Sequence, residues 1–157
     1  MRLGLAVAIL AALLDQGTKL AVLHFFAAAE GTRLVRLLPF LNVTLTLNHG
    51  MSFGLFNTNA AANALVFTLI AAAIVAALFA WLKRAKDALL QVAIGLVIGG
   101  AIGNVVDRLV RGAVVDFIDF HVGAWHWFVF NLADSAISVG VGLMVIDGLR
   151  RPREARN

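Results

Sequence analysis

Long apolar runs alternate with short polar breaks along this chain. Residues 3–26, 59–82, 88–106 and 128–146 are four such runs, and only the first and last contain any charge. At about 1.5 Å per helical residue, runs of this length match roughly 30 Å of bilayer hydrocarbon. The pattern therefore predicts four transmembrane helices. The first run follows Arg2 and could also be read as a secretory signal peptide, with residues 27–29 as a small-residue cleavage site. Asp15 and Lys19 lie too deep in it for that reading, and cleavage would leave three spans. The second run stops at Lys83-Arg84-Ala85-Lys86, the third at Asp107-Arg108, and the fourth before Arg150-Arg151-Pro152-Arg153. Pro152 is placed to stop a helix.

The two longer breaks have a different period. Residues 40–47 (FLNVTLTL) alternate and carry β-branched side chains between Pro39 and Asn48-His49-Gly50. Residues 113–120 (AVVDFIDF) read as a second short strand, with Gly123 as a breaker. With four spans, Arg2, the Lys83–Lys86 cluster and the basic tail at 150–156 fall on one side. The positive-inside rule makes that side cytoplasmic, although Arg33, Arg36, Arg108 and Arg111 weaken the bias. Both strand segments then lie outside. The expected fold is an all-α membrane protein: four transmembrane helices with a small extracytoplasmic β-sheet platform, in one domain covering residues 1–157 without internal repeats.

Composition agrees. The 157 residues are 61% hydrophobic and 14% charged, with a mean hydropathy of +0.91. A soluble domain has roughly 45–50% apolar and about 25% charged residues. The net charge of +4 would suggest nucleic acid only if it formed a patch on a soluble face, and here it sits in clusters between apolar runs. Cysteine and tyrosine are absent, which removes thiolate and phenol chemistry. No serine sits in a nucleophile elbow, and His24, His49, His121 and His126 lack metal-ligand spacing. Taken singly, such histidines are expected to be interfacial.

Carboxylates and amides remain. Asp15 and Lys19 share a helix face at i, i+4 in the first span and are expected to pair. Charges inside a membrane are costly and tend to be functional; the pair either ties the span to its neighbours or supports a site. Asn104 and Asp107 share a face of the third span, next to Arg108. Asn131 and Asp134 share a face at the start of the fourth, and Asp116 comes from the second outer segment. Each has an ordinary structural explanation: Asn131 as an N-cap, Asp134 as a helix-dipole partner, Arg108 as a snorkelling side chain, Asp116 and Asp119 as strand residues. For Asp119 no partner is evident. Topology nonetheless brings Asn104, Asp107, Asp116, Asn131 and Asp134 toward one end of the bundle, near Asn48. Two close carboxylates share a proton, so that one serves as base and the other as acid. That is metal-free hydrolytic chemistry, and spacing alone does not choose between Asp107, Asp116 and Asp134.

The ordered set Asp15-Gln16-Gly17-Thr18-Lys19, Asn48-His49-Gly50-Met51-Ser52-Phe53, the stretch from Gly99 to Arg108, Val114-Val115-Asp116-Phe117 and the stretch from Phe130 to Ile137 resembles the motifs of the lipoprotein signal peptidase (signal peptidase II) family. Ser52 departs from the commoner alanine. The resemblance implies an aspartic endopeptidase of the bacterial inner membrane. It would cut a prolipoprotein signal peptide before a diacylglyceryl-modified cysteine. It implies Asp116 and Asp134 as the catalytic pair. Asp15, Lys19, Asn48, Asn104, Asp107, Arg108 and Asn131 become supporting residues, with Arg108 and the asparagines holding the substrate backbone. No cofactor and no metal ligand are expected. The expected partners are the lipidated precursor and membrane lipids, with no nucleic acid, and a monomer is the simplest assembly. Gly99, Gly100 and Gly103 suit close helix packing or leave room for a lipid chain.

Two other classes compete. A metal-dependent head-group transferase would gather carboxylates on one cytoplasmic-facing helix around Mg²⁺. A small proton-coupled transporter or assembly factor would use Asp15 and Lys19 as a relay, although alternating-access folds usually show a repeat.

Overall fold

A computed structural model describes residues 1–29, 31–49 and 60–150. The expected start of the second span at Asn59, the motif residues Gly50-Met51-Ser52-Phe53 and the tail beyond Arg150 lie outside them. Helices α1 (Arg2–Ala28), α2 (Ala60–Leu82), α3 (Ala88–Arg111) and α4 (Leu132–Arg150) alternate with strands β1 (Leu34–Leu38), β2 (Leu41–Asn48), β3 (Val114–Val122) and β4 (Trp125–His126). All four helices are long and apolar enough to cross a membrane. The protein is mostly helical, with a small antiparallel sheet.

α3 is the central helix and packs on each of the other three. Glycine makes this possible. A Cβ at Gly99 would run into the Ala8 carbonyl of α1, and one at Gly100 into the Ala133 carbonyl of α4. Gly99 and Gly100 therefore let helix backbones approach closely. Around them Ala8, Leu82, Leu90, Ile94 and Ile98 form a buried apolar cluster. Large side chains elsewhere on α1, α2 and α4, such as Leu13, Leu69 and Val145, remain exposed, as lipid-facing residues should.

α3 runs five residues past the expected end at Val106, and Gly112 closes it at φ +73° with its N–H on the Arg108 carbonyl. Left-handed backbone at a helix C-terminus favours glycine. Asp107, Arg108 and Arg111 are consequently helical residues. α4 begins at Leu132, four residues later than its apolar run suggests, because Phe130 belongs to the sheet. The Phe117 and Ile118 N–H groups donate to the Phe130 carbonyl at 3.0 and 2.8 Å, and the Phe130 N–H donates to the Ile118 carbonyl at 3.0 Å.

The strand order is β1-β2-β3-β4, all antiparallel. β2 and β3 correspond to the expected strands, each shifted by a residue or two. β1 and β4 were not expected: β1 is mostly exposed and carries Arg36, and β4 is two residues long. The sheet pairs Asn42 with Asp119, Thr46 with Asp116 and Asn48 with Val114, with a bulge between Val43 and Thr46.

Candidate active site

α3 places Asn104 and Asp107 one turn apart on a buried face. α1 brings Asp15 and Lys19 against it, and both are wholly buried. The Lys19 Nζ lies 2.8 Å from Asp15 Oδ2 and 2.8 Å from Asp107 Oδ2, and donates to Asn104 Oδ1 at 3.0 Å. The expected i, i+4 pair is present, and it extends across to α3. Asp15 also accepts the Ala133 N–H at 2.9 Å, which ties α1 to the first turn of α4. A Cβ at Gly103 would collide with the Asp15 carboxylate, so glycine is what admits this acid between the helices. Asp107 accepts the Val115 N–H at 3.0 Å and so anchors β3 to α3.

From Lys19 the network reaches the two aspartates. Asn104 turns its oxygen to Lys19 and its Nδ2 to Asp134 Oδ1 at 2.8 Å. Asn131 donates through Nδ2 to Asp116 Oδ1 at 2.6 Å and to Asn104 Oδ1 at 3.2 Å. Asn48 donates to the other Asp116 oxygen at 2.9 Å. Asn131 is also the cap of α4. Its Oδ1 accepts the Asp134 N–H at 2.9 Å, and Asp134 Oδ2 accepts the Asn131 N–H at 3.3 Å. This reciprocal bonding is the pattern of a capping box. The capping explanation of Asn131 and its place beside Asp116 both hold.

Arg108 is less committed. Its guanidinium reaches the Asn104 carbonyl at 3.4 Å, lies 5.5 Å from the Phe67 ring centroid on α2, and interacts electrostatically with Asp134, Asp116 and Asp107. Arg111 and Gln16 were not anticipated as part of the site. Arg111 pairs with Asp107 at 2.6 Å, and the Gln16 amide donates to Asp107 at 3.2 Å. The i, i+4 spacing of Asp107 and Arg111 carried that signal; Gln16 lay within the Asp15–Lys19 motif without a role of its own. Asp119 requires a correction, since it does have partners. Asn42 Nδ2 donates to it at 2.8 Å and His126 Nδ1 lies at 2.8 Å. Burial acts to raise its pKa, but these bonds outweigh burial and hold the carboxyl below its usual value.

Asp116 and Asp134 line one cavity of about 750 Å³, together with Asn48, the segment from Trp127 to Phe130, Ser135, Ser138 and Val139. A second hollow of about 350 Å³ adjoins Asp116 between Thr46, Leu47, His49, Phe128 and Val129. Asp116, Asn48, Phe128 and Val129 line both hollows. Asp116 is 2% exposed. Burial pushes its pKa up, the Asn48 bond pulls it down, the Asp134 charge pushes it up again, and Asn131 and Lys19 oppose; the result is about 6. Two carboxyls on one cavity, one of them biased toward its neutral form, can share a proton and act as an acid–base pair.

The family model for Signal peptidase (SPase) II matches residues 7–150. Lipoprotein signal peptidases of Burkholderia thailandensis and Burkholderia mallei are each 45% identical over 153 residues, covering 97% of this chain and 90% of theirs. A solved bacterial membrane enzyme superposes with a TM-score of 0.76 at 32% identity, over 95% of this chain and 94% of its own. A second superposes at 0.74 and 31% identity, over 98% and 94%.

Proposed function

The chain belongs to the signal peptidase II family, a bacterial membrane protease that removes signal peptides from prolipoproteins, and from that premise we propose that it cuts as an aspartic endopeptidase through Asp116 and Asp134. The observation that carries this reading is the shared cavity, with the two carboxyls linked through Asn131 and Asn104. Asp116, the carboxyl raised toward neutrality, holds the shared proton and donates it to the scissile carbonyl. Asp134 takes a proton from the attacking water. The water oxygen bonds to the carbonyl carbon; Asp134 then gives the proton it took to the amine nitrogen as the C–N bond breaks, and Asp116 takes a proton back from the gem-diol hydroxyl, which restores the pair. Asn48 and Asn131 hold Asp116, and Asn104 holds Asp134. Arg108 and the asparagines are suited to the substrate backbone. The family match does not favour the transporter or assembly-factor reading, and the carboxylates here come from several elements instead of one helix face.

The substrate is a diacylglyceryl-modified precursor, cut just before its lipidated cysteine. Each acyl CH₂ kept from water is worth about 0.8 kcal/mol. The chains therefore set the depth of the cysteine, and the site needs only to orient the backbone. A time course on lipidated and unlipidated precursor, matched in signal helix and detergent, should show far slower cleavage of the unlipidated form. Equal rates would mean that the enzyme reads peptide alone.

Both chain ends and Lys83–Lys86 are cytoplasmic in this proposal, with the sheet and the carboxyl pair at the outer surface. Reporters fused after Asn157 and within Lys83–Lys86 should read cytoplasmic, and one placed between β1 and β2 should read external. The reverse pattern would move the site to the wrong side for exported precursors.

A further inference from the structure

One buried polar atom beside the carboxyl pair has no work in the proposed chemistry. His49 follows the last residue of β2. Its Nδ1 is shut off from solvent and has no hydrogen-bond partner. Leaving such an atom unsatisfied costs more than an ordinary hydrogen bond gains, and native interiors seldom keep one without a reason. The ring as a whole is half-buried and lines the hollow of about 350 Å³ next to Asp116. No bond pins Nδ1, and the His χ2 torsion is soft, so the ring can turn that edge into the hollow.

The walls of the hollow decide what fits it. Leu47, Phe128 and Val129 are apolar, and Asn48 already holds Asp116. A side chain entering here meets mainly apolar surface and one imidazole nitrogen in need of a bond. Nδ1 donates in one neutral tautomer and accepts in the other. A hydroxyl or carboxamide both donates and accepts, so it satisfies either tautomer. Position picks the substrate residue. The larger cavity follows α4 past Ser135, Ser138 and Val139, toward the membrane interior, which suits the apolar signal peptide. The smaller hollow is bounded by the end of β2, on the sheet side. Successive side chains of an extended chain point opposite ways. The lipidated cysteine must direct its acyl chains into the membrane, so the side chain after it points to the sheet.

We propose that His49 is a specificity-determining residue. The hollow it lines receives the side chain of the substrate residue that follows the lipidated cysteine, and Nδ1 hydrogen-bonds a hydroxyl or carboxamide there. This inference rests on the carboxyl-pair reading, because it takes Asp116 to mark the scissile bond. It extends that reading from the cut itself to the mature side of the substrate.

The test uses two lipidated precursors that differ only in the residue after the cysteine, threonine in one and valine in the other. The two side chains share a shape and differ by one hydroxyl. Full-length enzyme in detergent cleaves both in one tube, and mass spectrometry gives the ratio of their kcat/KM values. A ratio taken within one preparation does not depend on how much of the enzyme is folded. The wild type should favour threonine by about 5–10-fold, the worth of one hydrogen bond. His49→Phe keeps a ring but no nitrogen, and should bring the ratio to one or below. His49→Gln keeps a donor and an acceptor and should retain the preference. Equal cleavage of the two precursors by the wild type, or a threonine preference that survives His49→Phe, would overturn the proposal. So would a His49-dependent preference at the residue before the cysteine. Failure of the carboxyl-pair reading shows separately, as turnover by the Asp116→Asn or Asp134→Asn enzyme.

Discussion

Asp116→Asn and Asp134→Asn are each expected to lower cleavage by at least about 10²–10⁴-fold, the range a general acid or base supplies, while the protein still inserts and purifies. An amide has the same shape and keeps one accepting oxygen, enough for one of the two bonds that each aspartate accepts, so the side chain still fills its place. It can neither take a proton from water nor carry the shared one. Either variant turning over near the wild-type rate would remove that residue from the pair. The same assay reads the proton. With Asp116 raised to about 6, kcat/KM should fall as pH rises through an apparent value of that order, because the proton-holding form is lost. Asn48 stabilises the ionised Asp116. Asn48→Ala should therefore move this alkaline limb to higher pH, and a limb that stayed in place or moved lower would contradict the assignment.

Lys19→Met is expected to destabilise the fold by about 3–5 kcal/mol, as removal of one partner from a buried ion pair does. Lys19, Asp15 and Asp107 are fully buried, and one ammonium serves both carboxylates. Methionine fills the volume but leaves Asp15 without its cation, and leaves Asp107 with Arg111 and the neutral donors Gln16 and Val115 N–H. It also removes one of the two donors on the Asn104 oxygen, whose amide holds Asp134, so activity should fall together with stability. Adding Asp15→Asn to Lys19→Met removes one uncompensated charge and should recover part of the loss. Thermal unfolding in detergent decides the point: a Lys19→Met protein that melts like the wild type would show that this network does not hold the helices together.

The four spans were legible because charge is so costly in hydrocarbon that its absence marks a helix. Their ends were less so. Asp107, Arg108 and Arg111 look like the edge of a membrane, yet Asp107 is neutralised inside the bundle by Lys19 and Arg111, and α3 continues through them. Phe128-Val129-Phe130 looks like helix by hydropathy, but Phe130 is extended and bonded to β3. An apolar run does not say which backbone it adopts. The Asp15–Lys19 spacing showed the pair within one helix, whereas the reach of Lys19 to Asp107 and Asn104 depends on helix packing. Asp119 looked unpartnered for the same reason. Its partners come from β2 and β4, and neither the strand register nor the existence of β4 follows from alternation within a single segment. The choice of Asp116 and Asp134 over Asp107 rested on family resemblance. The geometry gives it a physical basis, since Asp107 is committed to Lys19, Arg111 and the Val115 N–H, while the other two line the cavity.

The central claim, hydrolysis by a carboxyl pair without a catalytic metal, is tested most directly by gel-shift cleavage of a lipidated precursor by purified enzyme with and without excess EDTA. Cleavage at the same rate in both is the predicted result. Cleavage that stops with EDTA and returns with Mg²⁺ or Zn²⁺ would contradict it.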